Sequence, residues 1–417
     1  MSSSTHPETA AEVVVVVVGC GISALTTAVH LLETFGSGRL LVGIYGDLTQ
    51  LNQTTSCGCA GLWLPFHIEP QDKVRDWARS TYQRFLQDAE NPDTGVRFVP
   101  AYQFYPKPPE SLPYWHADVL DLAVIGRDQR PEETLASSAR TESTAVADTM
   151  PSFPDGYSYA LQWRTAVVDM PRYLEWLVAR FRRLGGIFWN ENSGEPPLPL
   201  QRLTDVVRRC RIPTTNRMTI VVNATGLGAR TLCADSELRP ALGVLVRVRY
   251  PMRFVLQVAG GPLGDPQYPT YVIPRNEELC TCGGTVLFDL PAAEQERLVQ
   301  LSTIADHLEP EQIPPIARDM LERCRQLYKP WQNKDVALSV AEVWSGLRPV
   351  RTGGVRLELE RWPAAGEANN ADASRWIIHN YGHGGGGVTV SWGCAAAVTE
   401  LVRSLCETID TASCGNA

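Results

Sequence analysis

Lysine is scarce in this sequence, and neither sign of charge forms a long run. The 417 residues include four lysines, and none lies in a Gly-x-x-x-x-Gly-Lys-[Ser/Thr] pattern, which excludes a P-loop. The chain has 38 basic and 46 acidic side chains and a formal net charge of -8, whereas nucleic-acid affinity depends on concentrated positive charge. We therefore expect no DNA or RNA partner.

Cysteines are few, odd in number and spaced unlike zinc ligands. There are 11, which favours thiols in a reducing compartment over a disulfide framework. The two Cys-x-Cys pairs, Cys57/Cys59 and Cys280/Cys282, lack the two-residue spacer of zinc ribbons. We expect these thiols to pack in the interior without a metal.

Long apolar runs are also missing. The longest, Val13–Val18, is far shorter than the ~20 residues of a membrane span, so it predicts a buried strand. Residues 1–11 lack the charged and apolar regions of a secretory signal, and the C-terminal Ser-Cys-Gly-Asn-Ala differs from the peroxisomal Ser-Lys-Leu signal. The sequence therefore predicts a cytoplasmic protein with no membrane partner.

The overall composition is that of a folded globular protein. Hydrophobic residues make up 44% of the chain and charged residues 20%. At ~150 residues per domain, the length predicts two or three domains. One stretch differs from the rest, because residues 126–149 hold few large apolar side chains and are predicted to form an exposed insertion.

The segment 13–47 has the pattern of a dinucleotide-binding β-α-β unit. A strand at Val13–Val18 meets the turn Gly19-Cys20-Gly21-Ile22-Ser23-Ala24, a helical pattern follows, and a second strand is predicted at Leu40–Tyr45. The glycines allow a tight turn and close approach to a pyrophosphate, while the helix start favours negative charge. Asp47, after the second strand, is placed to accept hydrogen bonds from a ribose.

The second half of the chain predicts a further sheet. A short buried strand is expected at Met218–Asn223. The segments Val244–Tyr250, Tyr271–Pro274 and Gly283–Phe288 alternate in the manner of antiparallel strands.

Four consecutive glycines, 384–387, separate a predicted strand from an apolar helix and leave backbone N–H groups open to a ligand. His379 and His383 have metal-like spacing, but the glycines forbid a regular helix there, so hydrogen bonding is the expected role. The sequence has no Gly-x-Ser-x-Gly, His-Glu-x-x-His or Cys-x-x-Cys motif, so we expect the chemistry to come from a cofactor.

Together these motifs resemble the D-amino-acid oxidase family of FAD flavoproteins, in order and over nearly the whole chain. They are Gly19–Ala24, Ala60-Gly61-Leu62-Trp63, Asn223-Ala224-Thr225-Gly226, Tyr271-Val272-Ile273-Pro274, Gly283-Gly284-Thr285, Gly346-Leu347-Arg348-Pro349-Val350-Arg351 and His379–Thr389. The resemblance implies an α/β fold with a discontinuous Rossmann-like FAD-binding domain (1–67, 155–237 and 346–417). It also implies a mixed-sheet α+β substrate domain (68–154 and 238–345).

The resemblance also assigns roles to particular residues. Arg348 and Tyr271 are expected to hold the substrate carboxylate, and the Gly385 carbonyl to accept from the substrate amine. The position of a second active-site tyrosine is Gln267 here, with Tyr268 one step away, so Tyr268 is the candidate for that role. Non-covalent FAD is expected to contact Gly19, Gly21, Ile22, Ser23, Ala24, Asp47, Thr54, Thr55, Gly61, Leu62, Thr225, Gly226, Gly346, Arg348, Gly384, Gly385, Gly386, Gly387, Val388 and Thr389.

The implied reaction is oxidation of a D-amino acid by hydride transfer to flavin N5. Dioxygen then gives hydrogen peroxide, and the imino acid hydrolyses to a 2-oxo acid and ammonia. Val286 follows Gly-Gly-Thr where acid-preferring D-aspartate oxidases have arginine, so neutral, apolar or bulky substrates are expected.

Four alternatives stay open at this stage. The first is a glycine-, sarcosine- or biosynthetic-intermediate oxidase, and the second is a D-aspartate oxidase. The others are a nicotinamide dehydrogenase and a non-catalytic dinucleotide-binding protein. A homodimer is also left open.

Overall fold

The structure is a computed structural model that describes residues 12–66, 68–128, 150–189, 199–212, 218–300, 303–304, 308–309, 311–333, 335–362 and 374–414. Most of the predicted insertion at 126–149 lies outside these residues, and so do residues 1–11.

The described residues form two sheets with helices packed around them. The strands are β1 (Val13–Val18), β2 (Leu40–Tyr45), β3 (Val96–Tyr105), β4 (Ala123–Gly126), β5 (Tyr159–Val168), β6 (Ile187–Phe188), β7 (Met218–Asn223), β8 (Leu238–Arg249), β9 (Val255–Val258), β10 (Tyr271–Pro274), β11 (Leu279–Gly283), β12 (Thr303–Ile304), β13 (Ser339–Arg351), β14 (Arg356–Arg361) and β15 (Ser374–Tyr381). The α-helices are α1 (Ile22–Phe35), α2 (Thr55–Gly58), α3 (Gln71–Asp88), α4 (Met170–Arg183), α5 (Asp205–Arg209), α6 (Ala229–Leu232), α7 (Ala292–Val299), α8 (Pro315–Leu327) and α9 (Ser391–Cys414). Short 3-10 helices cover Leu48–Gln53, Pro92–Thr94, His116–Asp118, Gly226–Gly228 and Lys329–Gln332.

The first sheet has six strands in the order β14-β15-β7-β1-β2-β6. All neighbours are parallel except the edge strand β14, which runs antiparallel to β15. β1 lies near the centre and is buried on both faces: its odd-numbered valines pack in one apolar cluster with α1 and α9, and its even-numbered valines pack in another with α5. A strand covered on both faces needs a continuous apolar run, which explains the six valines.

The second sheet has nine strands in the order β12-β13-β8-β11-β10-β9-β3-β5-β4. Its neighbours are antiparallel except β3 and β9. Along β10 the side chains alternate, since Val272 packs toward α8 while Tyr271 and Ile273 belong to the other face. Two mixed sheets with helices confirm the predicted α/β class.

The strand predicted at Gly283–Phe288 is wrong. β11 ends at Gly283, and beyond it Leu287 makes only a single bridge to Leu242. The buried Thr285 hydroxyl accepts from Val244 N at 2.9 Å and donates to Leu242 O at 3.2 Å. A side chain thus occupies the backbone groups that a continuing strand would use.

The division into two domains stays a prediction. The strands of the smaller sheet all fall in segments assigned to the FAD-binding domain. β5, however, lies in the larger sheet although residues 155–237 were assigned with the smaller one, and β13 spans the expected boundary at 346. No helix in the described part of the chain has the length and apolar character needed to cross a bilayer.

Candidate active site

A cavity of about 610 Å³ lies between the two sheets. Part of its wall comes from the loops that follow the parallel strands β1, β7 and β15. The rest comes from the segment around α2 and from one face of the nine-stranded sheet. The carboxyl ends of parallel strands are where open α/β sheets bind their ligands, so this is the expected position for a cofactor.

The glycine turn after β1 leaves the start of α1 open to the cavity. Gly19 has φ of 124°, and a Cβ there would lie 2.5 Å from the Ala224 carbonyl oxygen, so only glycine fits. Gly21, the residue before α1, offers no side-chain cap, and the Ser56 hydroxyl accepts from Ile22 N at 3.0 Å. A helix start that follows a glycine turn, with only the Ser56 hydroxyl bonded to its first N–H group, suits the diphosphate of a dinucleotide.

Two buried arginines hold the segment that includes α2. Arg275 donates to the carbonyls of Cys59 at 2.9 Å and Cys57 at 3.1 Å, and Arg247 donates to the Gly58 carbonyl at 2.6 Å. Arg247 also pairs with Glu342. Burial, together with the neighbouring Arg247, lowers the pKa of Arg275. Three consecutive carbonyls at the end of α2 are therefore satisfied by guanidinium groups, which fixes one wall of the cavity.

The glycine loop after β15 is tied to two other walls. Gly384 N donates to the Pro349 carbonyl at 2.9 Å, next to the end of β13. The Thr389 hydroxyl accepts from Leu64 N at 3.1 Å and donates to Leu64 O at 2.9 Å. The loop thereby connects the strand that carries Arg348 to the segment that follows α2.

His383 lies buried in this loop and is neutral at physiological pH. Burial lowers its pKa to about 4. Its Nε2 lies 3.0 Å from Asn380 Oδ1, and its Nδ1 lies 3.4 Å from the Ser23 hydroxyl. A neutral ring with the proton on Nε2 satisfies both contacts, so hydrogen bonding accounts for this histidine.

Arg348 and Tyr271 both line the cavity with hydrogen-bond donors that no described residue occupies. The Arg348 guanidinium donates to the Thr285 carbonyl at 2.7 Å and makes no ion pair with any described residue. It lies over Gly243, where a Cβ would be 2.4 Å from Nη1. Burial raises the pKa of Tyr271 to about 12, although Arg348 acts in the opposite direction. The Tyr271 hydroxyl has no hydrogen-bond partner in the described chain, so both groups are available to an anion.

The cavity wall has little other charge. Among the described residues that line it, Arg348 is the only side chain ionised at neutral pH, because no Asp, Glu or Lys lines it and His383 is neutral. Much of the remaining wall is apolar, and includes Leu64, Phe66, Leu245, Val258, Ile273, Val286 and Leu347.

Most of the predicted site residues come together here. The lining residues are Gly19, Gly21, Ile22, Ser23, Thr54, Thr55, Gly61, Leu62, Thr225, Gly226, Tyr271, Arg348, Gly384, Gly385, Gly387 and Val388. Their roles toward a cofactor or substrate stay predictions.

Six predicted site residues do not line the cavity: Ala24, Asp47, Tyr268, Gly346, Gly386 and Thr389. Ala24 is fully buried in the core beside β1, and Thr389 acts through its two bonds to Leu64. Asp47 Oδ1 accepts from the backbone and hydroxyl of Thr49 at 3.0 and 2.6 Å.

Tyr268, the candidate second active-site tyrosine, is not among the residues that line the cavity, and its role stays a prediction. Its ring packs on the α8 side of the larger sheet, 5.8 Å from the Arg323 guanidinium carbon. The sequence alone did not indicate which way this ring packs.

Sequence reasoning also missed four residues of the site: Gln103, Arg247, Gln257 and Arg275. A buried charge in an apolar strand marks Arg247, and Arg275 directly follows the Tyr-Val-Ile-Pro motif. Nothing in the sequence marks the two glutamines, because their position depends on strand register. Among the described residues no group of three His, Cys, Asp or Glu side chains is arranged to hold a metal ion.

Comparisons with known proteins identify the family of the chain. A family model described as FAD dependent oxidoreductase matches residues 14–401. The chain is 31% identical to D-amino-acid oxidase of Rubrobacter xylanophilus, with 93% of this chain and 94% of that protein covered. It is 30% identical to D-amino-acid oxidase of Streptomyces coelicolor, covering 93% and 96%. Among solved structures, glycine oxidase from Bacillus cereus has a similar fold, with a TM-score of 0.59, 14% identity and 94% of each chain covered.

Proposed function

The chain belongs to the D-amino-acid oxidase family of FAD-dependent oxidoreductases, and on that premise we propose that it oxidises a neutral D-amino acid. FAD is its cofactor. The overall reaction takes the amino acid, dioxygen and water to the 2-oxo acid, ammonium and hydrogen peroxide. The observation that carries the proposal is that Arg348, which makes no ion pair with a described residue, and the free Tyr271 hydroxyl line a cavity whose described lining carries no other charge.

The residues of the cavity fit FAD. The start of α1 after the Gly19 turn would hold the diphosphate. The segment held by Arg247 and Arg275, together with the glycine loop, would line the flavin. Bound FAD supplies the redox chemistry, accepting two electrons and the α-hydrogen from the substrate and passing the electrons to dioxygen.

Arg348 and Tyr271 bind and orient the substrate. A guanidinium has five N–H donors, and Arg348 donates one of them to the Thr285 carbonyl. A coplanar pair of N–H groups is therefore left to bind a carboxylate. The Tyr271 hydroxyl adds a further donor, and its raised pKa keeps it protonated. Two fixed contacts on one carboxylate restrict how the α-carbon faces the cofactor.

The protein contributes no acid or base in this proposal. No described Asp or Glu lines the cavity, and His383 is already neutral with a full set of contacts. A cation beside Arg348 would be disfavoured, so the substrate amine is held in its neutral form. The Gly385 carbonyl is the proposed acceptor for that amine.

The cavity also favours a neutral side chain. A second carboxylate would find no cation among the described lining residues, because position 286 is valine and Arg348 is already used. A buried site that offers no opposite charge strongly disfavours the binding of an ionised group.

Peroxide release measured across a panel of D- and L-amino acids tests the proposal. We expect turnover of neutral D-amino acids, weak turnover of D-aspartate and none of the L-enantiomers. Arg348→Met is expected to lose activity. Arg239→Met is the matched control and is expected to keep activity, because the Arg239 side chain on β8 is 47% exposed. Turnover of no D-amino acid by the FAD-loaded protein would refute the proposal.

A further inference from the structure

We infer that Gln257, together with Gln103, forms a subsite for a hydrogen-bonding group on the substrate side chain. The preferred substrates are then neutral D-amino acids that carry a carboxamide or hydroxyl, rather than apolar side chains of the same shape. This inference rests on the proposed function and narrows its substrate class.

Strand register places both amides on the face that carries Tyr271. Gln257 on β9 is paired with Tyr271 on β10, and Gln103 on β3 is paired with Gln257. Paired residues on neighbouring strands project to the same side of a sheet, about 5 Å apart. All three residues line the cavity. The two amides therefore form a row that begins at the carboxylate-binding tyrosine and extends away from it.

Gln257 is buried without a partner. Its side chain is 8% exposed, and its Nε2 is buried with no hydrogen-bond partner in the described chain. Gln103 is half-buried and likewise makes no side-chain hydrogen bond among the described residues. Buried polar groups in folded proteins are nearly always paired, and an unpaired amide is costly to keep. A buried, unpaired amide that lines a ligand cavity indicates that its hydrogen-bond partner is a group of the ligand.

The chemistry of that partner follows from the rest of the wall. An apolar side chain would leave the Gln257 amide unsatisfied, and a carboxylate or ammonium would meet no counter-charge. A carboxamide or hydroxyl is neutral and can both donate and accept, as the Gln257 amide can. Sites built to bond a polar group reject the apolar analogue strongly, because their own groups are then left unpaired.

Isosteric substrate pairs give the direct test. D-asparagine and D-leucine have side chains with the same number and branching of heavy atoms, as do D-glutamine and D-homoleucine, and the first member of each pair ends in a carboxamide where the second ends in an isopropyl group. With the FAD-loaded wild type, kcat/KM for the amide member of at least one pair is expected to be about tenfold higher or more. Gln257→Met should reduce that ratio to about one, while D-alanine, which has no group to reach the subsite, measures its general effect.

Gln162→Met is the matched control. Gln162 lies on β5 of the same sheet but does not line the cavity, and it pairs with Tyr102 rather than with Gln103. Its replacement should leave the amide-to-apolar ratio as in the wild type. A wild-type preference for the apolar member of both pairs, or an unchanged ratio in Gln257→Met, would overturn the inference.

A binding measurement keeps the test independent of turnover and of the variant's folding. The carboxylates 3-carbamoylpropanoate and 4-methylpentanoate are asparagine and leucine without the amine, so they bind but cannot be oxidised. Calorimetry with wild-type holoenzyme should show tighter binding of the carbamoyl compound, and equal or reversed affinities would contradict the subsite. If no amino acid is oxidised, the proposed function fails, and this binding ratio still decides the inference.

Discussion

Replacing Arg275 with methionine tests whether the two arginines that bond to carbonyls at the end of α2 keep this wall of the cofactor cavity in place. The change keeps a long apolar side chain but removes two hydrogen bonds, to Cys59 O at 2.9 Å and Cys57 O at 3.1 Å. Arg275 is 5% exposed, so neither carbonyl can recover its bond from bulk water without local opening. The segment they belong to contributes Thr55, Gly61 and other residues to the cavity.

The magnitude follows from the number of bonds. Hydrogen bonds to charged groups contribute ~1.5–3 kcal/mol each, so two give about 3–6 kcal/mol before the methionine stem recovers part of it. We expect the free energy of unfolding to fall by about 3 kcal/mol. If the loosened wall also weakens FAD binding by ~1.4 kcal/mol or more, the dissociation constant rises at least tenfold.

Titration of the apoprotein with FAD, followed by flavin fluorescence, measures this constant. Arg325→Met is the matched control, because Arg325 also donates to two carbonyls, Trp331 O at 2.8 Å and Val336 O at 3.4 Å, but neither of these residues lines the cavity. It should lower stability but leave FAD affinity unchanged. Equal FAD affinity in Arg275→Met and wild type, or equal losses of affinity in both variants, would refute the reasoning.

Three further predictions follow from single residues. The folded pKa of His383 is about 4, below its ordinary 6.5, so the unfolded chain binds the extra proton and stability is lost as pH falls through that window. Urea unfolding measured between pH 7 and pH 4 should show that the free energy of unfolding falls by up to about 3 kcal/mol less in His383→Asn than in the wild type. The same pH dependence of the unfolding free energy in both proteins would contradict the burial of a neutral ring. Gly61→Ala should lower the free energy of unfolding by about 2 kcal/mol and reduce FAD content, because φ at this position is 73° and the added Cβ would lie 2.1 Å from Val168 O. A variant with the flavin absorbance and melting temperature of the wild type would contradict this prediction. Tyr271→Phe should raise KM about tenfold in steady-state kinetics through loss of one hydrogen bond, and an unchanged KM would remove the tyrosine from carboxylate binding.

The local elements of the cofactor site were predictable because short-range patterns define them. The strands at Val13–Val18, Leu40–Tyr45 and Met218–Asn223 are continuous apolar runs that end at turn residues, and the structure has the same bounds. The glycine turn and the glycine loop carry their conformational requirement in the residue type itself. Such features depend on neighbours in the chain, which a sequence displays directly.

The features that a sequence does not display directly depend on distant partners. The strand predicted to extend past Gly283 ends because the Thr285 hydroxyl bonds to β8, more than 40 residues away along the chain. Gln257 matters because register places it beside Tyr271, and a shift by one residue would turn it to the opposite face. Tyr268 was one position from the expected site, and in the structure its ring packs on the far side of the sheet.

The central claim is that Arg348 recognises the carboxylate of the substrate, and anaerobic reduction of bound flavin tests it most directly. A reactive D-amino acid and the corresponding amide, in which an uncharged carboxamide replaces the carboxylate, are each mixed with wild-type and Arg348→Met holoenzyme, and bleaching of the visible absorbance is followed. We predict that the wild type is reduced much faster by the acid than by the carboxamide, and that Arg348→Met reacts slowly and alike with both. Equal discrimination between acid and carboxamide in the two proteins would contradict the account.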